Sequence, residues 1–254
     1  MQDIRSRARQ IVSLLDLTSL SGTEQASDLE ALCARADGPC GRVAALCVYA
    51  RHVPQILGIL ARRGLPDIGV ATVVNFPDGG DDREAVTEEI RQALSLGATE
   101  IDLVFPYRAF LDGKEEAVRG FLQACRRACP VTLKVILESG VLAEDAVIRA
   151  AGRLALDCGA DFLKTSTGKA AVHATPEAAR VMLETIAERG GAAGFKASGG
   201  LRSMDDAIVY LGLAEEILGA GWIGPDTFRF GASGLLDDVL ARAAEGDGRC
   251  GASA

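Results

Sequence analysis

Histidine is nearly missing from this chain of 254 residues. The only two, His52 and His173, stand far apart, so a histidine-rich metal site is not expected. Cysteine pairs are missing as well: the seven thiols run from Cys33 to Cys250, odd in number and without a CxxC, which supports neither a disulfide framework nor a zinc site. Reduced thiols in a cytoplasm are the simplest reading. No stretch approaches the roughly 18 apolar residues of a membrane span. The opening MQDIRSRARQIVSLLDLTSL is charged and then only briefly apolar, which fits an amphipathic helix better than a signal peptide. Positive charge is in deficit, 27 Lys and Arg against 35 Asp and Glu for a net charge of -8, so neither nucleic acid nor a membrane surface is an expected partner. Any phosphate chemistry must be local. No Pro, Gly or Ser-rich linker divides the chain, which leaves one large domain as the expectation.

Apolar residues are what the chain has in quantity, 48% of the total, enough for a large core. They gather in short runs that read as buried parallel strands: SLLDL, RVAALCVY, DIGVATVVNF, EIDLVF, VTLKVIL, ADFLKT, AGFKAS and FRFGAS. Amphipathic helical segments separate most of them, several ending at a glycine suited to a C-terminal cap. Thr175-Pro176-Glu177 is a helix start with a first-turn proline, and Ser203 with Asp206 resembles a capping box. Eight β/α units in about 250 residues are what a (β/α)8 TIM barrel requires. An open doubly wound sheet competes, but DLTSLSGTE after the first strand matches GxGxxG poorly. The expected α/β organisation is a single barrel domain over residues 1–244 with a short N-terminal helix. A flexible tail, EGDGRCGASA, is expected at 245–254.

Charges inside apolar strands are the anomaly. Asp102 in EIDLVF, Lys134 in VTLKVIL, Lys164 in ADFLKT and Lys196 in GFKAS would lose solvation worth several kcal/mol unless paired or neutralised. Buried ion pairs explain any one of them as well as catalysis does. Together they favour catalysis, because three lysines share one obvious strand carboxylate. Lys164 and Lys196 also stand near the carboxyl ends of strands six and seven, the end of a barrel where active sites lie. A nucleophilic lysine must be neutral, and burial beside a second cation lowers an amine's pKa. Lys164 next to Lys196 meets that description, with Asp102 available for proton transfer. Lys169, beyond Thr165-Ser166-Thr167-Gly168, has reach instead of burial and suits anion binding. GGLRS at 199–203 and GASG at 231–234 follow strands seven and eight, where this fold often holds phosphate.

The same segments resemble the deoxyribose-phosphate aldolase family nearly end to end. DLTSL, CVYARHVP, VATVVNFPDG, GATEIDLVFPYRAFLDG, LKVILESG, ADFLKTSTGKAAVHATPEAARVML, GFKASGG and FRFGASGLL follow the family's order, and the longest is highly specific. The resemblance implies a class I aldolase on a TIM barrel, without metal or other cofactor. Its expected reaction is reversible cleavage of 2-deoxy-D-ribose 5-phosphate to D-glyceraldehyde 3-phosphate and acetaldehyde. It implies Lys164 as the Schiff-base lysine, Lys196 as the lysine that lowers its pKa, and Asp102 in proton relay. Lys169, Gly199, Gly200, Ser233 and Gly234 would surround the phosphate. Salvage of deoxynucleoside carbon is the implied pathway.

Supporting positions carry smaller expectations. Asp16 and Thr18 end the first strand, where a cap or turn role competes with a substrate contact, and they are kept as supporting positions. Cys47 is a small buried side chain that the resemblance sets near the pocket. Lys134 either supports the charges around Lys164 or is a paired core lysine, and Thr165 is a further supporting position. His52 and His173 read as surface or core residues. Many family members finish with a tail tyrosine thought to help protonate the enamine. Here the end reads GASA and the tyrosines are Tyr49, Tyr107 and Tyr210. Water or another residue would fill that role, or turnover would be slower. Two rivals stay open, a Schiff-base aldolase with another phosphorylated sugar and a regulatory barrel that binds phosphometabolites without turnover. Helix faces rich in Ala, Leu and Val allow a homodimer without requiring one.

Overall fold

In the computed structural model, which describes residues 3–250, eight parallel strands close into one barrel. They are β1 (Leu15–Ser19), β2 (Ala45–Val48), β3 (Gly69–Val74), β4 (Glu100–Val104), β5 (Thr132–Ile136), β6 (Phe162–Lys164), β7 (Gly194–Ser198) and β8 (Phe228–Ala232). Each strand pairs with its sequence neighbours, and β1 pairs with both β2 and β8 to close the ring. Every one of the eight apolar runs supplies a strand. Both faces of these strands are covered, which is why β2 and β4 are buried along their whole length.

The helices of the outer layer are α1 (Ile4–Ser13), α2 (Ala26–Ala34), α3 (Val53–Arg62), α4 (Arg83–Ser95), α5 (Glu115–Ala128), α6 (Asp145–Asp157), α7 (Pro176–Glu188), α8 (Met204–Leu218) and α9 (Leu235–Cys250). Helix α5 shows why they dock. Val118, Phe121, Leu122 and Cys125 recur at helical spacing and are buried, while Arg119 stays at the surface and pairs with Glu115 at 3.1 Å. Burying each large apolar side chain contributes about 1.5–3 kcal/mol. The expected starts are present. Thr175 Oγ1 accepts from the Ala178 N–H at 3.2 Å, and Ser203 and Asp206 exchange bonds of 3.1 and 2.9 Å across the first turn of α8.

Three features differ from the sequence reading. Gly41–Arg42 pairs with Asp37–Gly38 in a small antiparallel ribbon, so Arg42 is outside the barrel strand it seemed to open. Short helices form at Tyr107–Leu111 and Ser139–Leu142. Helix α9 continues to Cys250, so the first residues of the expected tail are helical despite Gly246 and Gly248, each costing about 1 kcal/mol relative to alanine. Residues 251–254 of that tail lie outside the described residues. Among the described residues no helix is long and apolar enough to cross a membrane. Six cysteines, Cys33, Cys40, Cys47, Cys125, Cys129 and Cys158, are buried and unpaired.

Candidate active site

Alternation along the strands decides what enters the lumen. Residues two apart share a face, so β4 turns both Glu100 and Asp102 inward, while β8 turns Arg229 inward and its flanking Phe228 and Phe230 into the apolar core. Strand β1 contributes Asp16, β5 Lys134, β6 Lys164 and β7 Lys196. Parallel register lays Lys164 beside Lys196 and Asp102 beside Lys134.

Asp102 is the hub of these side chains. Its Oδ2 accepts from Lys164 and from Lys196, each at 2.7 Å, and its Oδ1 accepts from Lys134 at 2.9 Å. Asp16 accepts from Lys196 through Oδ2 and from Arg229 at 2.6 Å through Oδ1. Glu100 accepts from Lys134 and, at 3.1 Å, from Arg229. Three carboxylates therefore serve the strand lysines where the sequence suggested one. Asp16 is neither a cap nor a turn residue: it sits within β1, fully buried between cations.

Burial and pairing push these groups in different directions. Desolvation lowers the Lys164 pKa most, Asp102 opposes it, and Lys196 adds a smaller downward push. Desolvation also acts on Lys196, but Asp102 and Asp16 outweigh it and hold that ammonium charged. Lys134 is held charged likewise, by Asp102, Asp16 and Glu100 against its burial. Burial alone would raise Asp102 and Asp16, yet the surrounding cations hold both well below the usual carboxylate range. Burial pushes the Cys47 thiol up, and Asp102 adds to that, so this side chain is a poor nucleophile. Of the three strand lysines, Lys164 is thus the one eased toward the neutral amine, the form that is able to attack a carbonyl.

Above it opens a cavity of about 740 Å³, lined by Lys164 and by the loops at the carboxyl ends of β1, β6, β7 and β8. Lys196 and Lys134 do not line it. Lys169, Gly199, Gly200, Ser233 and Gly234 all do, as does Thr18. Gly199 and Gly200 have φ of +89° and +81°, which favours glycine, and a Cβ on Gly199 would lie 3.3 Å from the Gly168 Cα. Helices α8 and α9 start just beyond these loops and bring their N-terminal dipoles to the same wall. The exposed Lys169 does not hang free: its ammonium donates to the Leu20 carbonyl at 2.8 Å, across the mouth from the β6 loop to the β1 loop. Thr165 is buried, donating to the Ser198 carbonyl and accepting from the Ser198 N–H, each at 2.9 Å, which locks β6 to β7 behind Lys164.

Sequence reasoning missed several residues. Glu100 stands two positions before Asp102 and Arg229 lies inside FRFGAS, so strand alternation could have found both. Gly231 has no such signal: a Cβ there would lie 2.9 Å from Lys196 Cε, so its absence gives the lysine room. Glu138, in ILESG, is buried with φ of +55°, and its carboxylate accepts from the Ser166 hydroxyl at 2.7 Å and from the Thr167 hydroxyl and N–H. It orders the loop that carries Lys169. Arg202 lines the cavity. His173, read as a surface or core residue, forms part of the same wall, and its buried Nδ1 has no partner. His52 lies apart, 3.7 Å from Glu24.

Known proteins bear on this geometry. The family model described as DeoC/LacD family aldolase matches residues 10–235. A structure from Toxoplasma gondii ME49, provisionally named a deoxyribose-phosphate aldolase, is 25% identical with a TM-score of 0.86 and 97% of each chain covered. One from Coccidioides immitis, named with the same reservation, is 29% identical with a TM-score of 0.79, covering 92% of this chain and 86% of that one. Deoxyribose phosphate aldolase from Aeropyrum pernix, described as a tetramer, is 25% identical with a TM-score of 0.72, covering 94% and 96%.

Proposed function

The chain belongs to the DeoC/LacD aldolase family, and from that premise we propose that it cleaves 2-deoxy-D-ribose 5-phosphate reversibly to D-glyceraldehyde 3-phosphate and acetaldehyde. One observation carries the reading: of the three buried strand lysines, Lys164 alone lines the cavity, and Asp102 is its carboxylate partner.

The neutral Lys164 amine attacks C1 of the open-chain sugar, and loss of water leaves an iminium. Asp102, with Lys196 beside it, takes the C3 hydroxyl proton through a positioned water, since neither side chain lines the cavity. The C2–C3 bonding pair then flows to the iminium, giving an enamine on Lys164 and free D-glyceraldehyde 3-phosphate. Protonation at C2 and hydrolysis release acetaldehyde and restore the amine. Lys196 suits this part because it touches Asp102 at 2.7 Å while staying charged. The glycine loops after β7 and β8, with Lys169, would hold the phosphate, and binding energy at that distant end would orient the reacting carbons. Lys169 would exchange the Leu20 carbonyl for the phosphate. The buried, unpaired thiols suit a reducing cytoplasm.

The test is donor choice. Purified protein should release D-glyceraldehyde 3-phosphate from 2-deoxy-D-ribose 5-phosphate and, in the synthetic direction, accept acetaldehyde as donor. Turnover with dihydroxyacetone phosphate in place of acetaldehyde would assign a different Schiff-base aldolase.

A further inference from the structure

The lumen charges do not balance. Asp16, Glu100 and Asp102 are the carboxylates, while Lys134, Lys164, Lys196 and Arg229 are the cations, all of them buried. One cation is in excess, and an unpaired buried charge costs several kcal/mol, so discharging one cation is favoured. A guanidinium cannot give up its proton. Lys134 touches Asp102, Glu100 and Asp16, and Lys196 touches Asp16 and Asp102, whereas Lys164 shares only one oxygen of Asp102. Geometry and charge count thus single out Lys164 as the group that discharges.

Two members of that set lie far from the cavity, at the barrel floor. Glu100 and Arg229 pair there at 3.1 Å and line a second cavity, of about 510 Å³, at the opposite end from the Lys164 pocket. Each connects to the nucleophile only through other groups: Glu100 through Lys134 to Asp102, and Arg229 through Asp16 to Lys196 and Asp102. We propose that Glu100 and Arg229 are positioning residues that set the protonation state of Lys164 from the barrel floor. This rests on the reading of Lys164 as the nucleophile.

The signs follow from the circuit. Without the Glu100 charge, Lys134 is left to Asp102 and Asp16 and the network gains net positive charge, so the Lys164 ammonium is further disfavoured. Without the Arg229 charge, Asp16 draws Lys196 and Lys134 away from Asp102, which is left to Lys164, and the ammonium is favoured. Facing Lys164 are Asp102, Lys196 and Cys47. Facing the floor pair are Asp16 and Lys134 from within, with Asp161, Asp226 and Arg189 around the floor cavity. At an effective dielectric of about 20 and about 10 Å, one charge is worth about one pH unit.

The experiment measures the initial rate of the acetaldehyde adduct on Lys164 against pH, by borohydride quench and peptide mass. Compared with wild type, the midpoint should fall by about one pH unit in Glu100→Gln and rise by about as much in Arg229→Met. It should return to the wild-type value in the double variant and stay there in Arg229→Lys. Restoration in the doubly altered protein is the result a merely structural role would not give, and it serves even if one single variant folds poorly. Unmoved midpoints with the Lys164 adduct intact would overturn the floor pair's role alone. No wild-type adduct on Lys164 would overturn the nucleophile reading and this inference with it.

Discussion

The lumen of the barrel and the mouth above it are built on opposite plans. In the lumen every charged side chain is buried and shares a partner, so Asp102, Lys134 and Lys196 are fixed from several strands at once. At the mouth, glycine loops offer backbone donors, and the one lysine that reaches across rests on a carbonyl it can leave. The difference separates two jobs. On the proposed reading, a buried, charged interior would tune an amine and hold a proton acceptor beside it, while the open rim would recognise an anion at the far end of the substrate.

Breaking the lumen should cost most. Lys164→Ala should lower kcat/KM for 2-deoxy-D-ribose 5-phosphate about a thousandfold or more with the far-ultraviolet circular dichroism unchanged. Lys134→Met removes the cation that bridges Asp102, Glu100 and Asp16 and should destabilise the fold by about 3–5 kcal/mol in urea titration. The mouth should respond differently. Lys169→Ala should raise KM about tenfold for the phosphorylated sugar and leave unphosphorylated 2-deoxyribose unaffected, as loss of one charge-assisted contact implies. Gly231→Ala lies at the boundary, where its Cβ would press on Lys196 Cε; a fall of about threefold to tenfold in kcat with KM held would place the damage in the lumen.

Acid should sharpen the same contrast. Asp16 and Asp102 have folded pKa values below their unfolded ones, so the unfolded chain binds more protons and stability rises with pH through that window. Their contribution is present above about pH 4 and is lost as pH falls toward the depressed folded values. Lys164, also depressed, binds fewer protons when folded, so it too makes stability rise with pH, between its lowered pKa and about 10.4. Thermal melts of Lys164→Met should therefore show a shallower rise than wild type as pH approaches about 10.4 from below.

Much of the lumen was legible because a charge in an apolar strand has few explanations. Lys134, Lys164, Lys196 and Asp102 stood out for that reason, and all eight strands followed from short apolar runs. Asp16 was harder, since DLT also reads as a turn, and only the closure of β1 onto β8 brings it to Arg229. Glu100 and Arg229 carried a signal in alternation, but their pairing spans four strands of the ring and appears only once it is closed. Glu138 acts through a contact between loops and Gly231 through the close approach of β8 to the Lys196 side chain on β7, which no periodicity records. The ribbon at Arg42 and the helical run to Cys250 are local: their composition did not announce them.

The central claim is that Lys164 attacks a carbonyl as a neutral amine. The direct measurement is borohydride trapping with acetaldehyde, followed by peptide mass mapping of the wild type and Lys164→Ala. A reduced two-carbon adduct on Lys164, absent from the variant, is the predicted result. An adduct on another lysine, or none at all, would contradict it.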